Sequence, residues 1–198
     1  LPKDLSVEDI LIHSSNIGSV KIGQIIGQEK LQKFLKKIGI LSQLEFDIEE
    51  IGKPLSFRWR DCKLQTVSYG HGVTTTPIQL AKGYAILTNG GYDVKPTLIK
   101  EKFPDQEKKR ILNKDVSKQI NKILRKVVTH GTATLSDVEG YEVGGKTGTA
   151  QIVENGVYTN KKINTFASVF PSSNPKYVLV ILLEDTKLSK DYIYKYRN

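Results

Sequence analysis

The sequence predicts an α+β fold, with a helical lobe first and an antiparallel sheet last. Three observations carry this. Apolar residues recur at helical spacing through the N-terminal part, the period changes to two from Val143, and turn signals separate three strand-like runs as in a meander. The 198 residues suit one ordinary domain, or one domain with a small lobe. The division expected is a mostly helical part over 1–142 and antiparallel strands over 143–198. No internal repeat or low-complexity tract interrupts the sequence.

The first forty residues read as two short helices. Ile17, Val20, Ile25 and Ile26 follow the polar start Ser14-Ser15-Asn16, and Leu31, Phe34, Leu35 and Ile38 form a second stripe that Gly39 closes. From Ser42 to Thr75 the pattern is lost among the breakers Gly52, Pro54, Gly70 and Gly72, which predicts a long loop holding Trp59 and Cys62. Thr76-Pro77 opens a helix, because the hydroxyl caps free amides and proline suits the first turn. Leu80, Tyr84 and Leu87 continue one face until Asn89-Gly90-Gly91. Val94 to Ile99 predicts a short strand, and the charged stretch Lys100 to Arg110 follows it. Asn113 caps a helix with the face Val116, Ile120, Ile123, Leu124, Val127 and Val128, ended by Gly131. The strands expected are Gly145–Val153, Asn164–Phe170 and Tyr177–Glu184, joined at Asn155-Gly156 and at Pro171-Ser172-Ser173-Asn174-Pro175.

Composition narrows the classes. A hydrophobic share of 38% with 26% charged residues excludes long disorder, collagen and disulfide scaffolds. One cysteine cannot staple the chain internally, so cytosol and periplasm both stay open. The sequence contains no methionine, so Leu1 is not a translation start and the chain is expected to be a piece of a longer protein. No apolar run reaches the roughly 18 residues of a membrane span, and the N-terminus lacks signal-peptide order. The net charge of +9 is spread along the chain without an aromatic platform, which reads as a lysine-rich solvated surface and not as a nucleic-acid site.

Two motifs overlap at one place. Gly140-Tyr141-Glu142-Val143-Gly144-Gly145-Lys146-Thr147 satisfies the P-loop pattern, but a P-loop needs a buried strand before the glycines and a helix directly after them. Here Leu135-Ser136-Asp137-Val138-Glu139 precedes and strand-like Gly148-Thr149-Ala150-Gln151-Ile152-Val153 follows. The alternative is Lys146-Thr147-Gly148 as a K-T-G on an edge strand. Lys146 would then supply a positive charge beside a nucleophile, Thr147 and Thr149 would hold a carboxylate, and Gly148 would keep the strand open to a ligand backbone.

The order of motifs decides between them. Ser14-Ser15-Asn16 matches the S-x-N element of the penicillin-recognising serine acyltransferases. Ser68-Tyr69-Gly70-His71-Gly72 with Thr76-Pro77-Ile78-Gln79-Leu80-Ala81 resembles the glycine turn and helix of class B penicillin-binding proteins. Gly144-Gly145-Lys146-Thr147-Gly148-Thr149-Ala150-Gln151 is similar to that family's third motif with its flanks. The resemblance spans residues 10 to 185. It implies the penicillin-binding transpeptidase fold in part, and a D,D-transpeptidase that cross-links peptidoglycan stem peptides and is acylated by β-lactams. The S-x-N variant looks like the division-specific septal type.

Carried over residue by residue, Ser14 would relay a proton, Asn16 would bind the acyl-donor amide, and Lys146 would polarise the relay. Thr147 and Thr149 would grip the terminal carboxylate beside Gly148, with the Thr149 amide forming half of an oxyanion hole. The family's S-x-x-K nucleophile precedes S-x-N, and nothing before Ser14 matches it. The only S-x-x-K, Ser173-Asn174-Pro175-Lys176, sits in a turn and reads as chance. The piece alone is therefore expected not to acylate.

The family's sheet takes its first strands from before the nucleophile and is covered by a C-terminal helix. An exposed sheet face or edge is therefore expected here, open to self-association. The resemblance also implies an upstream membrane helix, the periplasmic face of the bacterial inner membrane, and division-complex partners. A β-lactamase, a β-lactam sensor or a non-enzymatic interaction module with this fold are the alternatives, and an S-x-x-K helix upstream of Ser14 would favour the enzyme. His13, His71 and His130 have no metal spacing, and neither metal nor cofactor is expected. Cys62 is expected to be a partly buried inert thiol, Asp47, Glu49 and Glu50 solvated loop carboxylates, and Tyr192, Tyr194 and Tyr196 a last edge or frayed tail.

Overall fold

The computed structural model describes residues 4–48, 52, 59, 62–100, 109–154 and 157–186. Helices α1 (Val7–Ile12), α2 (Asn16–Ile26), α3 (Gln28–Lys37), α4 (Lys63–Ser68), α5 (Pro77–Thr88) and α6 (Lys114–His130) come first. A 3₁₀ turn at Thr134–Ser136 follows, then strands β1 (Gly144–Glu154), β2 (Val157–Phe170) and β3 (Tyr177–Glu184). The strands form an antiparallel sheet in the order β1-β2-β3. The helical lobe and the meander are thus as the sequence predicts. Asn155-Gly156, the tyrosines at 192, 194 and 196, Glu49, Glu50 and most of the stretch from 100 to 110 lie outside the described residues.

Helix starts follow local chemistry. Ser6, Ser15, Thr76 and Asn113 each accept an amide of the first turn, and Thr76 forms a full capping box with Gln79. Gln79 does more than cap. It is fully buried, its Oε1 accepts from the Thr76 amide (2.9 Å), and its Nε2 donates to the carbonyls of Ser42 (2.6 Å) and Gly39 (3.3 Å). Gln79 on α5 therefore fastens the 39–42 turn to the lobe.

Several expectations are corrected. The described residues among the first forty hold three helices, and α4 lies within the predicted loop; α1 and α4 are six residues each, too short to display a repeat. On α2 the apolar residues Ile17 and Ile25 are exposed while Gly18 and Gly23 are buried. A Cβ at Gly18 would lie 2.5 Å from Ile10, and one at Gly23 would lie 1.8 Å from the Ser68 hydroxyl, so α2 packs through its glycines. On α6 Val116 is exposed and Ser117 is buried, its Oγ accepting from the Gly90 amide at 3.0 Å.

The predicted strand 94–99 is not one. Tyr92 makes an isolated bridge to Arg110, and the residues after it are held by Asp47, whose carboxylate accepts from Thr97 Oγ1 (2.6 Å) and the Leu98 amide (2.5 Å). Asp47 is thus a fastening residue despite its exposure, and those bonds hold its carboxyl below the usual 3.8. Cys62 is exposed, with φ at 63°, at the start of α4.

The core that matters for the site is small. Ile12, Val127, Val128, Ala133 and Val143 form one buried cluster, with Phe166 packed against it. It joins the ends of α1 and α6 to the start of β1. At the far side of the sheet, Leu179, Ile181, Leu182 and Leu183 on edge strand β3 are exposed.

Candidate active site

Ser14 stands at the centre of the three-residue link between α1 and α2. His13 closes α1 by donating its amide to Asp9 (2.9 Å), and Ser15 caps α2 by accepting from the Gly18 amide (3.2 Å). Between these caps Ser14 takes a left-handed conformation, φ 56°, which serine seldom adopts. The kink turns its hydroxyl outward to meet Lys146, whose Nζ donates to Ser14 Oγ at 2.8 Å across 132 residues of sequence. The same ammonium donates to the Thr147 carbonyl at 3.0 Å. Burial holds Lys146 below the usual lysine value of 10.5.

The S-x-N tripeptide therefore divides its work. Ser14 carries the contact to β1, Ser15 is structural, and Asn16 is exposed as the first residue of α2. Because Lys146 donates to Ser14 Oγ, the serine's own proton is left to be given elsewhere. A hydroxyl held in this way can pass its proton to a third group.

Lys146 lies where β1 leaves the core. Gly144 and Gly145 are buried, Lys146 and Thr147 half-buried, Gly148 and Thr149 exposed. Glycine is needed at Gly145, where a Cβ would sit 2.6 Å from the Phe166 ring, and a Cβ at Gly144 would press on Ser172 (3.1 Å) and on the backbone of Arg125 (3.2 Å). Strand alternation puts Thr147 and Thr149 on one face. Thr147 Oγ1 lies 2.9 Å from Thr132 Oγ1, and Thr149 Oγ1 donates to Asn164 Oδ1 at 3.2 Å on the paired strand. In the described sheet β1 is an edge strand, so the backbone of Lys146-Thr147-Gly148 runs along an open side.

Sequence reasoning missed Thr132, Gly131 and Asn164. Gly131 was visible as a helix end, but its second role is not local: a Cβ there would lie 2.5 Å from the Ile12 carbonyl and 2.8 Å from that of Val127. The tight turn after α6 therefore touches the end of α1, two residues before Ser14, and through Thr132 reaches Thr147. One turn joins both motif segments.

The competing motifs fail on structure. The Gly140–Thr147 stretch runs into β1 and not into a helix, which removes the phosphate-binding amides of a P-loop. Ser173-Asn174-Pro175-Lys176 lies in the β2–β3 turn, where Lys176 donates its amide to Phe170 (3.2 Å) and Ser173 donates its hydroxyl to the Glu142 carboxylate. No group of three or more metal-ligating side chains occurs among the described residues, and none of their helices is long and apolar enough to cross a membrane.

Comparison with known proteins gives this arrangement a family. The model described as "Penicillin binding protein transpeptidase domain" matches residues 2–198. Stage V sporulation protein D of Bacillus subtilis is 34% identical over 194 residues, which are 90% of this chain and 30% of that protein. The probable peptidoglycan D,D-transpeptidase FtsI of Caulobacter vibrioides is 30% identical over 196 residues, 92% of this chain and 33% of the relative. Among solved structures, penicillin binding protein 3 from Mycobacterium tuberculosis, complexed with aztreonam, superposes with a TM-score of 0.84 at 26% identity. The match covers 91% of this chain and 45% of that one. The chain belongs to the penicillin-binding protein transpeptidase domain family. It spans about a third of the length of these curated relatives.

Proposed function

We propose that the chain is the S-x-N and K-T-G part of a peptidoglycan D,D-transpeptidase that cross-links stem peptides in septal cell-wall synthesis. The observation that carries this is the Lys146–Ser14 hydrogen bond at 2.8 Å, formed between the two motifs in a chain of this family. The nucleophilic serine and its lysine come from outside these 198 residues, since the one S-x-x-K lies in a turn.

In the first step that serine attacks the acyl-donor carbonyl, an ester forms, and the peptide C–N bond breaks. Ser14, held by Lys146, passes a proton to the leaving amine; in the second step the acceptor amine attacks the ester and returns a proton by the same route. Asn16 binds the donor amide, Thr147 and Thr149 hold the terminal carboxylate along Gly148, and the Thr149 amide supplies half of the oxyanion hole. β-Lactams enter at the same place and stop at the ester.

The named relatives support placing the whole protein at the outer face of the plasma membrane, held by an upstream helix and working beside division proteins. The exposed apolar edge β3 is a candidate for self-association of the isolated chain. The basic surface is solvated and takes no nucleic acid.

The test is covalent labelling by a fluorescent penicillin. The full-length protein is labelled, Ser14→Ala and Lys146→Ala slow labelling strongly, and the isolated 198 residues are not labelled. Unchanged rates in both variants would overturn the site.

A further inference from the structure

The residues just before the K-T-G strand are gripped from two directions. From α6, Arg125 donates Nη1 to Asp137 Oδ1 (2.6 Å) and to the Val143 carbonyl (2.8 Å), while Nη2 reaches Asp137 Oδ2 at 3.3 Å. From the β2–β3 turn, the Ser172 amide donates to the Glu142 carbonyl at 2.8 Å and the Ser173 hydroxyl to the Glu142 carboxylate. Glu142 itself is left-handed, φ 48°, so the chain turns sharply here before entering the sheet. Gly144 then rests on the backbone of α6 at Arg125.

We propose that Arg125, oriented by Asp137, is a positioning residue for Lys146. Three facts support it. A planar guanidinium held bidentately by one carboxylate has little freedom left, so its third bond fixes the Val143 carbonyl in a set direction. Val143 is three residues from Lys146, and a strand rises about 3.3 Å per residue, so the grip acts roughly 10 Å from the α-carbon that carries the ammonium. The Arg125 and Asp137 side chains are 32% and 39% exposed, a setting in which an ion pair contributes little to global stability. The pair is thus poorly placed as a fold stabiliser and well placed as a register stop for β1. Lysine could not replace it, because an ammonium lacks the fork that meets both carboxylate oxygens and the carbonyl together.

The proposal rests on the site reading above, and the test separates the two. In the full-length protein, acylation by a fluorescent penicillin is measured for Arg125→Gln, Asp137→Asn and Lys146→Ala, and for Arg125→Gln combined with Lys146→Ala. Misplacement of a catalytic group by about 1 Å can cost up to roughly 100-fold, so a loss of about 10-fold is expected for Arg125→Gln, and a smaller one for Asp137→Asn, with melting temperatures near wild type. In the Lys146→Ala background Arg125→Gln has no further effect, because its influence runs through that lysine. Wild-type rates in Arg125→Gln, or the same fold-loss with and without Lys146, would overturn the proposal. Wild-type rates in Lys146→Ala would instead overturn the site reading, and the proposal with it.

Discussion

At its first two residues β1 is buried between α6 and Phe166, whereas from Gly148 onward it is mostly in the open, paired with the half-buried and exposed residues of β2. The same strand is core at one end and surface at the other. Lys146 and Thr147 fall at the border, where burial is enough to depress the lysine but a substrate can still lie along the strand. A buried root sets the backbone of β1, and Lys146 and Thr147 stand one and two residues past it. The exposed end has no such constraint, and a register irregularity is accommodated there between Gln151 and Val153.

The largest difference between the two ends should appear in stability. Gly145→Val would drive a branched side chain into the Phe166 ring and to within 2.9 Å of the Ala167 carbonyl, with an expected cost of about 3 kcal/mol. Ala150→Val, five residues along the same strand, should stay within about 0.5 kcal/mol. Urea denaturation measures both, and equal losses would break the contrast.

Gly131→Ala comes next. Its Cβ would meet two carbonyl oxygens, so the turn after α6 must move away from α1, at a cost of about 1–3 kcal/mol and with slower acylation as Ser14 and Thr147 separate. A variant as stable and as fast as wild type would show that this turn does not couple the motifs.

A pH effect follows from the half-buried lysine. On the proposed relay, in which charged Lys146 polarises Ser14, acylation should fall on the alkaline side with a midpoint below 10.5, and Lys146→Arg should move that limb upward. The sign for stability is the reverse. A lysine depressed on folding contributes most above its unfolded value, and that contribution is lost as pH falls through its folded value.

The smallest effect concerns Asp47. Asp47→Ala should quicken amide exchange at Leu98 and leave acylation unchanged, since this loop lies away from Lys146 in sequence and bonding. Its depressed carboxyl means that the contribution of this contact is present above 3.8 and is lost as pH falls through the lower folded value. Unaltered exchange would show that the 94–100 segment is held by something else.

These regions also differ in how far the sequence revealed them. The three strands were readable from the change of period after Val143, the apolar run Tyr177 to Leu183 and the turn residues between them, but β2 begins seven residues earlier than predicted, at Val157. Its outer half, with Asn160, Lys161 and Lys162, is exposed on both faces and has no reason to alternate. Ser14 and Lys146 could be named from motifs, yet their separation of 132 residues is closed only by the packing of α1, α6 and β1. Arg125, Gly131 and Thr132 were invisible as site residues because their roles come from tertiary contacts. An arginine on a helix looks the same whether it faces water or a carbonyl. The apolar stripe predicted for α2 failed for a related reason: glycines, which carry no hydrophobic signal, make its closest packing.

The central claim is that Ser14 and Lys146 form one proton relay. The most direct measurement is the second-order acylation rate of the full-length protein by a fluorescent penicillin, in wild type, Ser14→Ala, Lys146→Ala and the double variant. A relay predicts that each single change lowers the rate by roughly 100-fold or more and that the double variant is little worse than either. Independent, multiplying losses, or single variants as fast as wild type, would contradict it.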